Sequence, residues 1–273
     1  MTGKTQIHPF LKMHGLGNDF VILDARTSGL PITSDRALFI ANRRRGIGCD
    51  QVIVLRPSSA DDVFMEIWNA DGSRVSACGN ATRCVGQLLL DETERDTVSI
   101  QTDAGHLEAI RDGILISVNM GRARVGWQDI PVANETATDR MDFAVGPLAA
   151  PGCVNMGNPH VVFFTDDAEA IDLAQWGPQI ETDPMFPEKA NVSVVSLIGN
   201  TIRQRVWERG AGITEACGSA ACASVVAATR RGLIDRKATV QLDGGELVVE
   251  WKSDGHVQMT GPATFVYSGE ILL

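Results

Sequence analysis

One short pattern occurs twice in this chain, half its length apart, and each copy carries a cysteine at the same point. The first copy reads Trp68-Asn69-Ala70-Asp71-Gly72 followed by Ala77-Cys78-Gly79-Asn80-Ala81. The second reads Trp207-Glu208-Arg209-Gly210-Ala211-Gly212 followed by Ala216-Cys217-Gly218-Ser219-Ala220. Trp68 and Trp207, Cys78 and Cys217, and Gly79 and Gly218 are each 139 residues apart in a chain of 273. Gly17-Asn18 and Gly157-Asn158 echo one another at 140. A repeat at half the length points to two similar domains, each delivering one thiol, instead of one large core.

The hydrophobic pattern around the repeat is the same in both halves. In the first, Val21–Leu23, Gln51–Leu55 and Val63–Trp68 read as strands, and Asp71-Gly72 marks a turn. Gly79–Leu90 lacks proline and spaces Cys84, Val85, Leu88 and Leu89 as one helical face, so it predicts a helix that starts at Cys78. Val98–Thr102, Leu107–Ile110 and Ile114–Val118 follow as strands, with Asp112-Gly113 as a tight turn. In the second half Val161–Phe164, Val192–Leu197 and Thr201–Val206 precede a helix over Gly218–Thr229. That helix is rich in alanine, a strong helix former small enough for close packing. Val240–Leu242, Leu247–Trp251 and Val257–Met259 complete the series. The expected fold is α/β (α+β): two pseudo-symmetric domains, each a mostly antiparallel sheet wrapped around one central helix. The boundary is expected between Gly121 and Asn134, giving domains 1–122 and 123–263.

A thiol at a helix start faces unpaired backbone N–H groups and the positive end of the helix dipole, both of which favour thiolate. The same N–H groups can hold a carboxylate. Glycine after each cysteine removes a side chain that would block a ligand's approach. One sulfur could then take a proton from a carbon as thiolate while the other, as thiol, gives a proton to the opposite face. A carboxylate bound to the helix N–H groups would accept the enolate-like charge that develops. Two other readings share this spacing: structural cysteines at equivalent places of a duplicated fold, and a redox pair in a sensing or binding module.

Composition narrows the classes. A formal charge of −10 argues against nucleic acid and anionic membrane as partners. The single basic run, Arg43-Arg44-Arg45, reads as a solvated helix end. No apolar run approaches the roughly 18 residues of a membrane span. Met1–Phe10 has Lys4 but no apolar stretch after it, unlike a secretory leader, so the cytoplasm is the expected location. Six cysteines in this length are not a disulfide scaffold. Cys78 and Cys84 are six apart and Cys217 and Cys222 five apart, which is not zinc-knuckle spacing. No metal is expected. Cys84 and Cys222 lie in apolar helix stretches, and Cys49 and Cys153 also read as structural.

Several motifs together resemble the diaminopimelate epimerases. They are Met13-His14-Gly15-Leu16-Gly17-Asn18-Asp19-Phe20, Gly46-Ile47-Gly48-Cys49-Asp50-Gln51, Asn69-Ala70-Asp71-Gly72-Ser73, Met156-Gly157-Asn158-Pro159-His160 and the two cysteine segments with Glu208-Arg209-Gly210-Ala211-Gly212. They stand in the family's order and span Met13 to Gly261. The resemblance implies interconversion of LL- and meso-2,6-diaminoheptanedioate in lysine and peptidoglycan precursor synthesis. It also implies an active site in the interdomain cleft, no pyridoxal phosphate or metal, and a homodimer. A tail, 264–273, would return to the first domain.

Carried over by motif, Cys78 takes the proton from the LL substrate and Cys217 protonates the other face. Gly79, Asn80, Gly218 and Ser219 would cradle the carboxylate at the reacting centre. Asn18, Gln51, Asn69, Asn158, Asn191, Glu208 and Arg209 would contact the substrate, with Arg209 forking onto the distal carboxylate and Glu208 receiving an ammonium. His160 would orient the site; a packed or a surface histidine are its alternatives. Ile213, Arg74, Ala81 and Ala220 depart from the family's commonest residues without removing a substrate or proton-transfer position. A proline or hydroxyproline racemase also uses two cysteines, but an imino acid would leave Arg209 and Glu208 without partners.

Overall fold

The computed structural model describes residues 6–273; Lys4 and its neighbours, read above for a leader, lie outside the described residues. The described residues up to Val118, with Pro262–Leu273, form one compact unit, and Asn119–Gly261 form a second. The first unit opens with the strands β1 (Ile7–Gly15) and β2 (Asn18–Asp24), followed by helix α1 (Ser34–Ala41). Then come β3 (Gln51–Arg56), β4 (Val63–Asn69) and β5 (Arg74–Val75), the central helix α2 (Gly79–Thr93), and β6 (Thr97–Thr102), β7 (Gly105–Asp112) and β8 (Leu115–Arg122), whose residues from Asn119 onward belong to the second unit.

The second unit begins with a small hairpin, β9 (Ala144–Val145) and β10 (Leu148–Ala149). Its main series is β11 (Gly152–Asn155), β12 (Pro159–Phe164), helix α3 (Leu173–Glu181), β13 (Asn191–Ile198), β14 (Thr201–Glu208) and β15 (Gly212–Thr214). The central helix α4 (Gly218–Arg230) follows, then β16 (Lys237–Leu242), β17 (Gly245–Trp251) and β18 (His256–Gly261). The last strand, β19 (Thr264–Leu272), pairs antiparallel with β1.

The duplication extends to the pairing of strands. In the first unit β1–β2, β3–β4, β4–β5, β6–β7 and β7–β8 are antiparallel, while β2–β3 and β4–β6 are parallel. In the second, β11–β12, β13–β14, β14–β15, β16–β17 and β17–β18 are antiparallel, while β12–β13 and β14–β16 are parallel. The fold is thus α/β with two pseudo-symmetric halves, each mostly antiparallel. The helices α1 and α3 and the strands β1, β5, β9, β10, β11, β15 and β19 were not read as elements from the sequence.

Each central helix meets its sheet through small residues. Helix α2 packs on β1, β6 and β7, and α4 packs on strands from β11 to β18. A Cβ on Gly86 would lie 2.5 Å from that of Ala109 on β7, and one on Gly152 of β11 would lie 3.0 Å from that of Ala227 on α4. Residues Ala220–Ala228 of α4 are all buried, including Cys222, and Cys84 is buried on α2. The flanking helices are closed at their starts by side chains: Thr33 accepts from Arg36 N on α1, and Asp172 accepts from Gln175 N on α3. Beyond α1, Asn42 Oδ1 accepts the N–H groups of Arg44 and Arg45, each at 2.9 Å. The basic run is therefore a helix end as read, but Arg43 is engaged: its guanidinium pairs with Asp19 at 2.7 Å and Asp50 at 2.8 Å.

The Gly86 contact carries a prediction. Gly86→Val inserts two methyl groups and a Cβ where Ala109 already sits, and overpacking of this kind costs about 1–3 kcal/mol. Urea unfolding should show a lower midpoint than the wild type, and an unchanged midpoint would contradict the close contact.

Candidate active site

In the first unit the turn between β1 and β2 brings the chain back within two residues. Leu16 and Gly17 have φ of 58° and 87°, the left-handed pair that a two-residue hairpin demands. Glycine meets this freely, whereas Leu16 does so at a cost of order 1 kcal/mol, repaid where its side chain is buried. The turn sets Asn18 at the head of β2. Register then aligns the sheet edge: Phe20 lies opposite Gln51, and Gln51 opposite Asn69.

At this edge the amide of Asn18 accepts from Asn80 Nδ2 at 3.2 Å and from the Cys78 sulfur at 3.9 Å. Gln51 donates to Asn69 at 3.0 Å, and Asn69 donates to Ser73 at 3.1 Å. Gln51 Oε1 is buried without a hydrogen-bond partner among the described residues. Cys78 is half-buried at the N-cap of α2, with Gly79 as the first helical residue. The structure thus brings Asn18, Cys78 and Asn80 into direct contact and holds Gln51 with Asn69 on the same edge.

The second unit repeats the placement with different chemistry. His160 lies opposite Asn191, and Val192 opposite Trp207, which sets Glu208 beside Asn191. Asn191 donates to Pro159 O at 3.1 Å and accepts from Arg209 N at 2.9 Å. Arg209 Nη1 donates to Glu188 O at 2.8 Å. Glu208 accepts from the Thr214 hydroxyl. Cys217 is the N-cap of α4, with Gly218 next and the Ser219 hydroxyl 3.5 Å from its sulfur. Trp68 and Trp207 both donate to a carboxylate at 2.7 Å, but Trp68 uses Glu66 of its own strand and Trp207 reaches Glu181 on α3.

The helix-start argument for thiolate fails at Cys217. Burial pushes this thiol well above the ordinary thiol range, and the Glu208 carboxylate adds to the rise. The Ser219 hydroxyl and the Ala220 N–H dipole near the sulfur pull the other way and are outweighed. Cys217 therefore keeps its proton at neutral pH. Cys49, Cys84 and Cys153 are pushed up by burial to about 12, in keeping with structural thiols.

Some contributors escaped sequence reading. Asp50 and Ser73 sit inside the quoted motifs yet were given no role, whereas Glu181 and Glu188 lie far from any motif. Glu181 also accepts from Gly210 N at 3.0 Å, fixing the turn after Arg209. Arg74 is accounted for by an ion pair with Asp103 at 2.8 Å and by its position 5.6 Å over the Trp68 ring. Among the described residues no cluster of metal-ligating side chains occurs.

His160 is fully buried, so it is not a surface histidine. Its Nε2 meets Asn158 Oδ1 at 2.8 Å. Burial lowers its pKa to about 3, with the positive charge of Arg209 adding to the effect. The ring is neutral, so Nε2–H donates and fixes the Asn158 amide. Because the unfolded histidine titrates near 6.5, the unfolded state binds the extra proton between that value and about 3. The His160 contribution is complete above pH 6.5 and is lost as pH falls, with a limiting slope of about 1.4 kcal/mol per pH unit. His160→Gln should flatten the fall of unfolding free energy from pH 6.5 downward, measured by urea titration at a series of pH values; an unchanged slope would contradict the assignment.

The sequence profile of the family described as diaminopimelate epimerase matches residues 10–126 and 152–266. A diaminopimelate epimerase of Rhodospirillum centenum is 52% identical over 269 residues, covering 97% of this chain and 92% of that protein. One of Phenylobacterium zucineum is also 52% identical, covering 96% of this chain and 97% of that protein. Among solved structures, a hydroxyproline epimerase of Agrobacterium vitis superposes with a TM-score of 0.68 at 16% identity, covering all of this chain and 94% of its own. A phenazine biosynthesis protein of Bacillus anthracis gives 0.70 at 15%, covering 98% and 100%. The last two share the fold alone, whereas the profile match and the long, half-identical alignments carry more: the chain belongs to the diaminopimelate epimerase family.

Proposed function

We propose that this enzyme interconverts LL-2,6-diaminoheptanedioate and meso-diaminopimelate by moving the proton on one α carbon between two cysteines. The single observation that carries the reading is the half-identity of this chain, over nearly its whole length, to proteins named for that reaction. The reaction belongs to lysine and peptidoglycan precursor synthesis.

Cys78, as thiolate, takes the α proton of the LL substrate, and Cys217 gives a proton to the opposite face; the roles exchange in reverse. The retained proton on Cys217 supports the donor role, since burial and Glu208 both favour the thiol. Gly79, Asn80, Gly218 and Ser219 bind the reacting carboxylate with the helix-start N–H groups and stabilise the charge that develops on it. Asn18, Gln51, Asn69, Asn158, Asn191, Glu208 and Arg209 bind the remainder of the substrate, with His160 holding Asn158. A dicarboxylate with two ammonium groups gives Arg209 and Glu208 opposite charges to meet, which an imino acid lacks. The thiols act without a metal or pyridoxal phosphate.

No helix among the described residues is long and apolar enough to cross a membrane. The proposed location is the cytoplasm, where thiols stay reduced. We also propose a homodimer. Support comes from β19, where Phe265, Val266 and Tyr267, divided between the two faces, are 51%, 51% and 43% exposed, apolar surface at the strand that a second copy would bury.

In heavy water the wild-type enzyme should place deuterium at the α carbon of diaminopimelate and none on L-proline. Cys78→Ala and Cys217→Ala should each lose at least about 10²-fold in epimerisation rate. Either variant turning over at the wild-type rate would end the two-thiol reading. For the dimer, sedimentation velocity should give a species of twice 29.3 kDa, and a single species of 29.3 kDa would refute it.

A further inference from the structure

We propose that Asp50 is a positioning residue that locks the Asn18 amide with its carbonyl toward Cys78. This rests on the reading of Cys78 as a proton-transfer residue. Asp50 Oδ2 lies 3.0 Å from Asn18 Nδ2 and 3.1 Å from Asp19 N, while Asp50 Oδ1 is 2.8 Å from the Arg43 guanidinium. A carboxylate held by a guanidinium only accepts hydrogen bonds, so the Asn18 atom facing it is the N–H₂ group. The other end of the amide is then the carbonyl, which faces the Cys78 sulfur and accepts from Asn80.

The orientation has a chemical consequence. A carbonyl oxygen accepts from a thiol and repels a thiolate, so it keeps the sulfur a strong base and stabilises the S–H once the proton has arrived. Reversed, the same amide would donate N–H to the thiolate, stabilise it, and weaken it as a base. Asparagine is symmetric enough to fit either way, so the choice must be imposed by a neighbour.

Asp50 is itself held on several sides. Its N–H donates to Asp19 Oδ1 at 2.8 Å, and its carbonyl accepts from Ala70 N at 3.1 Å. Asp19 pairs with Lys12 at 2.6 Å and with Arg43 at 2.7 Å. Burial opposes the charge on Asp19, but hydrogen bonds from Arg43 and Lys12 outweigh it and hold the carboxyl below its usual range. Lys12 also donates to Gly48 O. The other ionisable groups of this region include His14 on β1, Cys49 next to Asp50, and Arg83 and Cys84 on α2, and none of the variants below replaces them.

The test reads the thiol directly, without turnover. In reduced protein, the rate of Cys78 alkylation by iodoacetamide is followed against pH, with the modified peptide identified by mass spectrometry. Asp50→Ala frees the amide to turn, and the pH midpoint should fall by about 0.5–1 unit, the worth of one N–H bond to the thiolate. Asp50→Asn keeps an acceptor facing Asn18 and should hold the wild-type midpoint. Arg43→Ala removes the ion pairs of the same network but leaves the Asn18–Asp50 bond, and should also leave the midpoint in place.

A merely structural Asp50 would make Arg43→Ala and Asp50→Ala behave alike, which would overturn the proposal. So would an unchanged midpoint in folded Asp50→Ala. If Asp50→Ala does not fold, Asn18→Ala decides by sign. Loss of a facing carbonyl lowers the midpoint, whereas loss of a donating N–H₂ raises it, and a rise refutes the lock. Failure of the two-thiol reading itself would show elsewhere, as full epimerisation by Cys78→Ala.

Discussion

The first turn of any helix has backbone N–H groups that the helix cannot satisfy, and the organisation of this protein follows from where those groups are left open. The flanking helices α1 and α3 close theirs with Thr33 and Asp172. The central helices α2 and α4 have cysteine at the same position and make no side-chain cap bond. Stability is thus forgone at two helix starts, and these are the two places where sulfur, glycine and a small polar residue follow one another. Close packing of glycine and alanine along each helix then fixes where its start points relative to the strand ends carrying the asparagines.

Much of this was legible in the chain because the duplication marks it twice. The period of the repeat gave both central helices, their starts and the strands around them, since a strand or helix signal that is weak alone gains weight when it recurs at the same distance. The flanking helices were hidden for physical reasons. Helix α1 is eight residues long, and α3 contains Gly177 and Pro178, which read as breakers. Gly177 is there because a Cβ would come within 2.6 Å of the Trp207 ring. A residue that looks like a break in the pattern is therefore a packing solution between helix and sheet. Which of the two thiols carries the proton was not legible: helix position is visible in sequence, but burial and the approach of Glu208 come from tertiary structure.

The two halves share topology and differ in electrostatics. Asn69 and Glu208 hold the same place after their tryptophans, yet one is neutral and the other a carboxylate that adds to the rise burial imposes on a neighbouring thiol. The tryptophans themselves are anchored to carboxylates that come from different elements, Glu66 on β4 and Glu181 on α3. The duplicated backbone supplied a common frame, and single side chains then gave each copy its own charge.

The pairing of β19 with β1 ties the ends of the chain together, down to mutual hydrogen bonds between Gln6 and Leu273 at 2.9 and 3.0 Å. On the ribosome this inverts the order of completion. The second unit has all its strands once Gly261 has emerged, while the first, although made earlier, waits for the last residues of the chain to finish its sheet. A nascent chain stalled or truncated near its end would therefore carry one finished domain and one with an uncovered strand edge, and that edge is where quality control or aggregation would find it.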